Sequence, residues 1–204
     1  MTLRFKAIAS IALAAALGGC SLGGMLGGSS KGPTTLFTLT PEAADTGATT
    51  RTANAGQAVT IAMPIVPKEL RTVRVPVQLT PTDIQYVPNM QWIDTPDRLF
   101  QGLVEETVRR TTNRVVLDPH QAAMDPGLLV SGELQRFGYD ASSGQVVVVY
   151  DASASAAGGA RVEMRRFEAR AQSDGTVRSV ATGLNQAANQ VATEVAQWVG
   201  NSAS

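Results

Sequence analysis

"TPDRLFQGLVEETVRRTTNRVVL" (Thr95–Leu117) decides how the rest of the chain is read. Thr95 is placed as a helix N-cap, Pro96 suits the first helical position, and Asp97 complements the positive end of the helix dipole. Leu99, Phe100, Leu103, Val104 and Val108 form one apolar stripe, and Glu105, Glu106, Arg109 and Arg110 fall on the wet side. Asn113 ends the helix, and residues 114–117 read as a strand. Upstream, 59–66 ("VTIAMPIV"), 72–79 ("TVRVPVQL") and 83–87 ("DIQYV") read as extended pieces. A helix between strands predicts a right-handed βαβ crossover.

In 72–79 the residues Val73, Val75, Val77 and Leu79 alternate with Arg74, Pro76 and Gln78, the period of a half-buried strand. Pro76 lacks an N–H and so places this strand at or near an edge. Further strands are expected at 128–137, 145–154 and 161–172, with a hairpin across "DASSG" (140–144). A last helix is expected over 182–199, with Leu184, Ala188, Val191, Val195 and Trp198 on one face. Both helices have a single apolar face. The expected fold class is therefore α/β: a two-layer sandwich, a mixed β-sheet with two amphipathic helices on one face.

The N-terminal segment is of another kind. Arg4 and Lys6 precede an apolar run over 7–17, and Gly18 and Gly19 precede Cys20, the single cysteine of 204 residues. That is the layout of a secretory signal peptide, too short and too interrupted for a spanning helix of about 20 apolar residues. With no second cysteine there is no disulfide. "LGGC" resembles the bacterial lipobox, which implies cleavage before Cys20 and its acylation. At roughly 0.8 kcal/mol per buried methylene, two or three acyl chains hold a protein on a bilayer for long times. Ser21, where an aspartate commonly retains lipoproteins in the inner membrane, implies sorting to the outer membrane, with the domain facing the periplasm. Residues 21–34 are rich in glycine and serine and read as a flexible tether of about 20 Å root-mean-square length. The division expected is 1–19 signal peptide, 20–34 acylated tether and 35–200 a single domain, with 42–57 as a surface loop.

Composition excludes several functions. The chain carries 17 basic and 17 acidic residues, and removing 1–19 takes Arg4 and Lys6 away, leaving a balance of about −2. No basic face results, which argues against nucleic acid as a partner. The one histidine, His120, sits in a proline-flanked loop, and with Cys20 acylated no ordinary Cys/His zinc site can be assembled. No G-x-S-x-G elbow or H-E-x-x-H helix occurs. Glu105 and Glu106 read as solvated surface. The expectation is a protein without catalysis, metal or cofactor.

"FTLTP" (37–41), then "VTIAMPIVPKELRTVRVPV", then "IQYVPNMQWIDTP" leading into the amphipathic helix resemble the ABC-type transport auxiliary lipoproteins, the group that includes paraquat-inducible protein C. Phe37, Leu39 and Pro41 fall on the family's Y-x-L-x-P segment, with Phe37 in the tyrosine's place. Tyr86 and Trp92 match its aromatic pair before the first helix, Pro96 its helix-start proline, and Phe167 the aromatic strand that feeds an alanine-rich helix. "KELRT" is a loose match to an arginine-containing turn at Arg71. The resemblance spans nearly all of 35–200. It implies work beside an ABC ATPase, its permease and a periplasmic mammalian-cell-entry (MCE) domain protein that move lipid between the two membranes. Homo-oligomerisation is left open. The rival reading is a lipoprotein that braces the envelope by contacting peptidoglycan or another lipoprotein. Tyr86 and Trp92 are expected to plug the sheet–helix junction or, alternatively, to meet a partner.

Overall fold

The computed structural model describes residues 35–45, 47, 50–52, 57–118, 127–156, 159 and 161–202. The chain divides after Gly32, and all described residues lie in its second unit, Pro33–Ser204. Cys20, Ser21, the expected signal peptide and tether, and His120 lie outside the described residues. In the second unit the order is β1 (Ala58–Ile61), a 3-10 turn (Lys68–Leu70), β2 (Arg74–Thr80), β3 (Asp83–Gln91), α1 (Pro96–Thr111), β4 (Val115–Leu117), β5 (Leu128–Asp140), β6 (Gln145–Ala156), β7 (Arg161–Gln172) and α2 (Val177–Asn201). Seven strands form one mixed sheet and the helices pack on it and on each other, which is the α/β sandwich that the patterning predicts.

β5 organises the sheet. β6 runs antiparallel along one edge of it, from Leu129 opposite Ser155 to Asp140 opposite Gln145. Its other edge is shared: β1 pairs in parallel with Leu128 to Val130, and β2 in parallel with Tyr139 and Asp140. β4 extends the first arm beside β1, β3 extends the second beside β2, and β7 closes the far side beside β6.

The expected βαβ unit is corrected by this topology. The β2–β3 hairpin reverses the chain before α1, so the helix links β3 to a β4 that runs opposite to it and pairs with β1. Pro76 is corrected as well. It is buried in an internal strand between β3 and β5, where a β-bulge between Arg74 and Pro76 accommodates the missing donor. Gly138 opposite leaves the room, since a Cβ there would stand 2.9 Å from Pro76 Cγ. The run 59–66 breaks at Ile61, and Ile65 returns as one parallel bridge to Glu133. β3 continues past Val87 to Gln91 through Asn89 at φ 57°. α2 starts earlier than expected, at Val177, because Thr176 caps it by accepting from Ser179 N at 3.3 Å.

Alternation along the strands sorts the two faces. Val146, Val148, Tyr150, Phe167, Ala169 and Ala171 join the core under the helices. Small residues on α2, among them Ala187, Ala188 and Ala192, are fully buried and bring its axis close to the sheet. Phe100 of α1 meets Tyr150 edge-on at 5.1 Å, and burial pushes the Tyr150 phenol well above its ordinary pKa. Leu99 of the expected stripe is only half-buried, while Thr107 is buried and donates to Leu103 O at 2.8 Å. None of the described helices is long and apolar enough to cross a membrane.

Candidate functional site

The matched motif positions do not form one pocket, but those near the N-terminus meet in a strap over the helices. Phe37 pairs in parallel with Trp92, its N–H donating to Gln91 O at 2.9 Å and its carbonyl accepting from Ile93 N at 2.8 Å. Leu39 is buried and Pro41 half-buried. The strap then crosses α2. Asn185 Oδ1 accepts from Thr40 N and Asn189 Oδ1 from Glu42 N, both at 2.8 Å, while Asn189 Nδ2 donates to Thr40 O at 2.9 Å. On α1, Arg110 Nη1 donates to Ala43 O at 2.9 Å. The chain arriving from the N-terminus is thus clipped to both helices before the sheet begins.

Trp92 is 1% exposed and packs its ring on Phe137 at 5.6 Å. Its Nε1–H is buried with no partner, so the ring serves here as apolar bulk. Tyr86 behaves differently. It is half-buried, with the Arg74 guanidinium 4.1 Å above its ring and its hydroxyl donating to Glu69 O at 3.4 Å. The two rings expected to plug one junction are therefore separated: Trp92 lies in the core and Tyr86 pins the 3-10 turn. Arg71 Nε donates to Val66 O at 3.2 Å and closes that turn from the other side. Pro96 is buried at the start of α1, where Thr95 is the N-cap without a side-chain bond. Phe167 stacks against Trp198 at 5.6 Å, and Trp198 Nε1 donates to Glu163 at 2.8 Å.

The face of the sheet away from the helices carries several exposed apolar side chains. Strict alternation from Phe167 puts Met164 and Val162 on it, and the bridge to Glu133 puts Ile65 there. They are 79%, 58% and 67% exposed. Beside them Arg166 holds Asp151 bidentately, two contacts of 2.6 Å, which keeps the Asp151 carboxyl below its ordinary range.

The acids on α1 need one correction. Glu106 accepts from Arg109 and Arg110 at 2.7 Å each, and those bonds hold its carboxyl low. Glu105, expected in water, is half-buried toward β1 and β4. Burial raises its pKa, Arg109 opposes the rise, and Asp118 adds to it. Its neighbour Gln101 is turned onto Ile61 O at 2.9 Å and donates to Glu105 at 3.2 Å. Among the described residues no group of three or more His, Cys, Asp or Glu could hold a metal.

Sequence reasoning missed Asn185, Asn189, Arg110 and Arg114. A signal for the asparagines was present: two residues of poor helix propensity, four apart, on an alanine- and valine-rich helix.

The family model of the ABC-type transport auxiliary lipoprotein component matches residues 37–196. A crystal structure of a Xanthomonas campestris protein of family DUF330 superposes with a TM-score of 0.63 at 19% identity, covering 83% of this chain and 93% of that one. A second crystal structure, of an uncharacterised protein, gives 0.62 at 14% identity over 74% and 96%. At those identities the two structures speak for the fold. Among curated proteins none matches. With the family's model spanning the strap, the whole sheet, α1 and all but the last residues of α2, the chain belongs to the ABC-type transport auxiliary lipoprotein components.

Proposed function

We propose that this protein is a non-catalytic lipoprotein, acylated at Cys20 and anchored in the outer membrane facing the periplasm, that docks to a periplasmic MCE-domain protein served by an ABC permease and ATPase in intermembrane lipid transport. The family match over 37–196 carries the reading. A lipobox-like "LGGC", Ser21 after the cysteine and a glycine-rich stretch before the domain supply the anchor, the sorting signal and the reach. Ile65, Val162 and Met164, exposed on a sheet face that no described helix covers, supply apolar surface for a partner.

Co-purification tests it. The tagged full-length lipoprotein is expected to retain an MCE-domain protein at micromolar affinity, about −8 kcal/mol, which one standard-sized interface reaches. Retention of peptidoglycan fragments or another lipoprotein instead moves the reading to envelope bracing. Cys20→Ala is expected to abolish palmitate labelling, and labelling that persists overturns the anchor.

A further inference from the structure

Where the two helices end, the fold leaves a cleft of about 1020 Å³. Thr112, Asn113, Arg114, Thr193, Gln197 and Asn201 contribute to its wall, and among the described lining residues there is neither a carboxylate nor an aromatic ring. Arg114 is 8% exposed, yet forms no ion pair among the described residues. Among the described residues backbone carbonyls hold it, Nε donating to Val199 O at 3.0 Å and Nη1 to Gln57 O at 3.4 Å. A buried cation without a counter-charge is costly, and an anion entering the cleft would relieve that.

Helix C-termini ordinarily repel anions, and here side chains cover some of their carbonyls. Ser202 N and Oγ donate to Trp198 O at 3.0 and 2.8 Å, and Arg114 covers Val199 O. On α1, Thr112 N and Oγ1 donate to Val108 O at 3.0 and 2.8 Å, and Arg51 Nη1 covers Thr112 O at 2.8 Å. Arg51, next in sequence to the lining residue Thr52 and bonded to Thr112 O, adds a second cation nearby. The amides of Asn113, Gln197 and Asn201 and the Thr193 hydroxyl offer more donors than the two oxygens of a carboxylate use. They suit the non-bridging oxygens of a phosphate, three in a monoester or two in a diester, together with the hydroxyls of a polyol attached to it, and the volume suits a small ligand.

We propose that this cleft binds a phosphate ester of a polyol, with Arg114 on the phosphate and the surrounding hydroxyl and amide side chains on the polyol. The ester is either free or the head group of a lipid.

Isothermal titration of the full-length chain in detergent with glycerol 3-phosphate, and separately with dihexanoyl phosphatidylglycerol below its micellar concentration, tests this. Saturable binding is expected for at least one. A preference for the short-chain lipid assigns a lipid head group, and equal or stronger binding of glycerol 3-phosphate assigns a free ester. Arg114→Gln is expected to weaken binding by about tenfold or more. Because that residue is buried, Gln197→Glu on the exposed side of α2 is measured beside it. It places a like charge at the rim, should leave the melting temperature unchanged, and should weaken binding about tenfold. Failure of both ligands to bind, or a Gln197→Glu variant that melts normally and binds as tightly as the parent, overturns the proposal.

Discussion

The two faces of the sheet are built from the same strands and do opposite things. Under the helices, Val146, Val148, Tyr150 and Phe167 are sealed by α1 and α2. One residue along each strand, the other face shows the Arg166–Asp151 pair, Met164 and Val162. Period-two alternation alone makes this division. The first face holds stability. The second buries Val147 and Val149 opposite Arg170 and Glu168, but around Met164 and Val162 it holds only exposed side chains and solvent-screened pairs, and that end is free to change or to bind. Substitutions of comparable size should thus have unequal effects on the two sides.

The largest loss is expected at Trp92. Trp92→Ala removes the ring packed on Phe137 and should cost about 3–5 kcal/mol in denaturant unfolding, while the backbone pairing to Phe37 stays. Trp92→Phe sharpens the point: its indole N–H has no partner, so the phenyl ring should lose only part of that. If Trp92→Phe is as damaging as Trp92→Ala, the indole is held by more than packing.

Next comes the strap. Asn189 is buried and serves both Thr40 O and Glu42 N, so Asn189→Ala leaves two backbone groups unmet and should cost about 1–3 kcal/mol. Hydrogen exchange should rise at Glu42 before it rises in β6. Half-buried Asn185, with one backbone bond to Thr40, should cost less on truncation.

How much of this could be read in advance follows from the range of each interaction. β7, expected at 161–172, occupies Arg161–Gln172, and α1 starts at Pro96, because alternation, a proline at N1 and a charged first turn are local signals. The class of fold followed from adding such signals. Topology did not: a helix between two strands reads as βαβ, and nothing local says that β4 will pair with β1 rather than with β3. Pro76 failed for the same reason, since its tolerance in an internal strand depends on Gly138, 62 residues away. The strap lay further out of reach. "FTLTP" was legible as a motif, yet its partners Asn185 and Asn189 lie some 145 residues downstream, and only the finished helix brings them together.

A smaller effect is expected from acid. Asp140 caps the β5–β6 turn, accepting from Ser142 N and Oγ at 3.1 and 2.6 Å and from Ser143 N at 3.3 Å, while Gly144 takes φ 65°. These bonds lower its pKa, as Arg166 lowers that of Asp151 and the Arg109–Arg110 pair that of Glu106. A depressed carboxylate contributes stability that is complete above its unfolded value, near pH 4, and is lost as pH falls through the folded one. Glu105, raised by burial, works the other way and loses its contribution as pH rises. With Asp174, whose carboxyl is lowered by accepting from Thr176 N and Oγ1, four groups against one predict a melting temperature that falls below about pH 4, with a shallower fall in Asp140→Asn. An unchanged slope in that variant would place the acid sensitivity elsewhere.

The smallest effect on stability, and the one that bears most on function, is expected at Met164. Its side chain is 79% exposed on the open face, opposite Ser153, and touches none of the core. Met164→Glu should therefore leave unfolding within about 0.5 kcal/mol of the parent. The same change puts a charge among the exposed apolar groups of that face, where desolvating it against an apolar partner surface is unfavourable. Retention of the MCE-domain protein on the tagged lipoprotein should then fall while the melting curve stays in place. Val162→Glu should act in the same direction, and Arg161→Glu, on the helix side of the same strand, should not. If Met164→Glu and Val162→Glu both bind as the parent does, the open face is a solvated surface and the partner contact lies on another side of the domain.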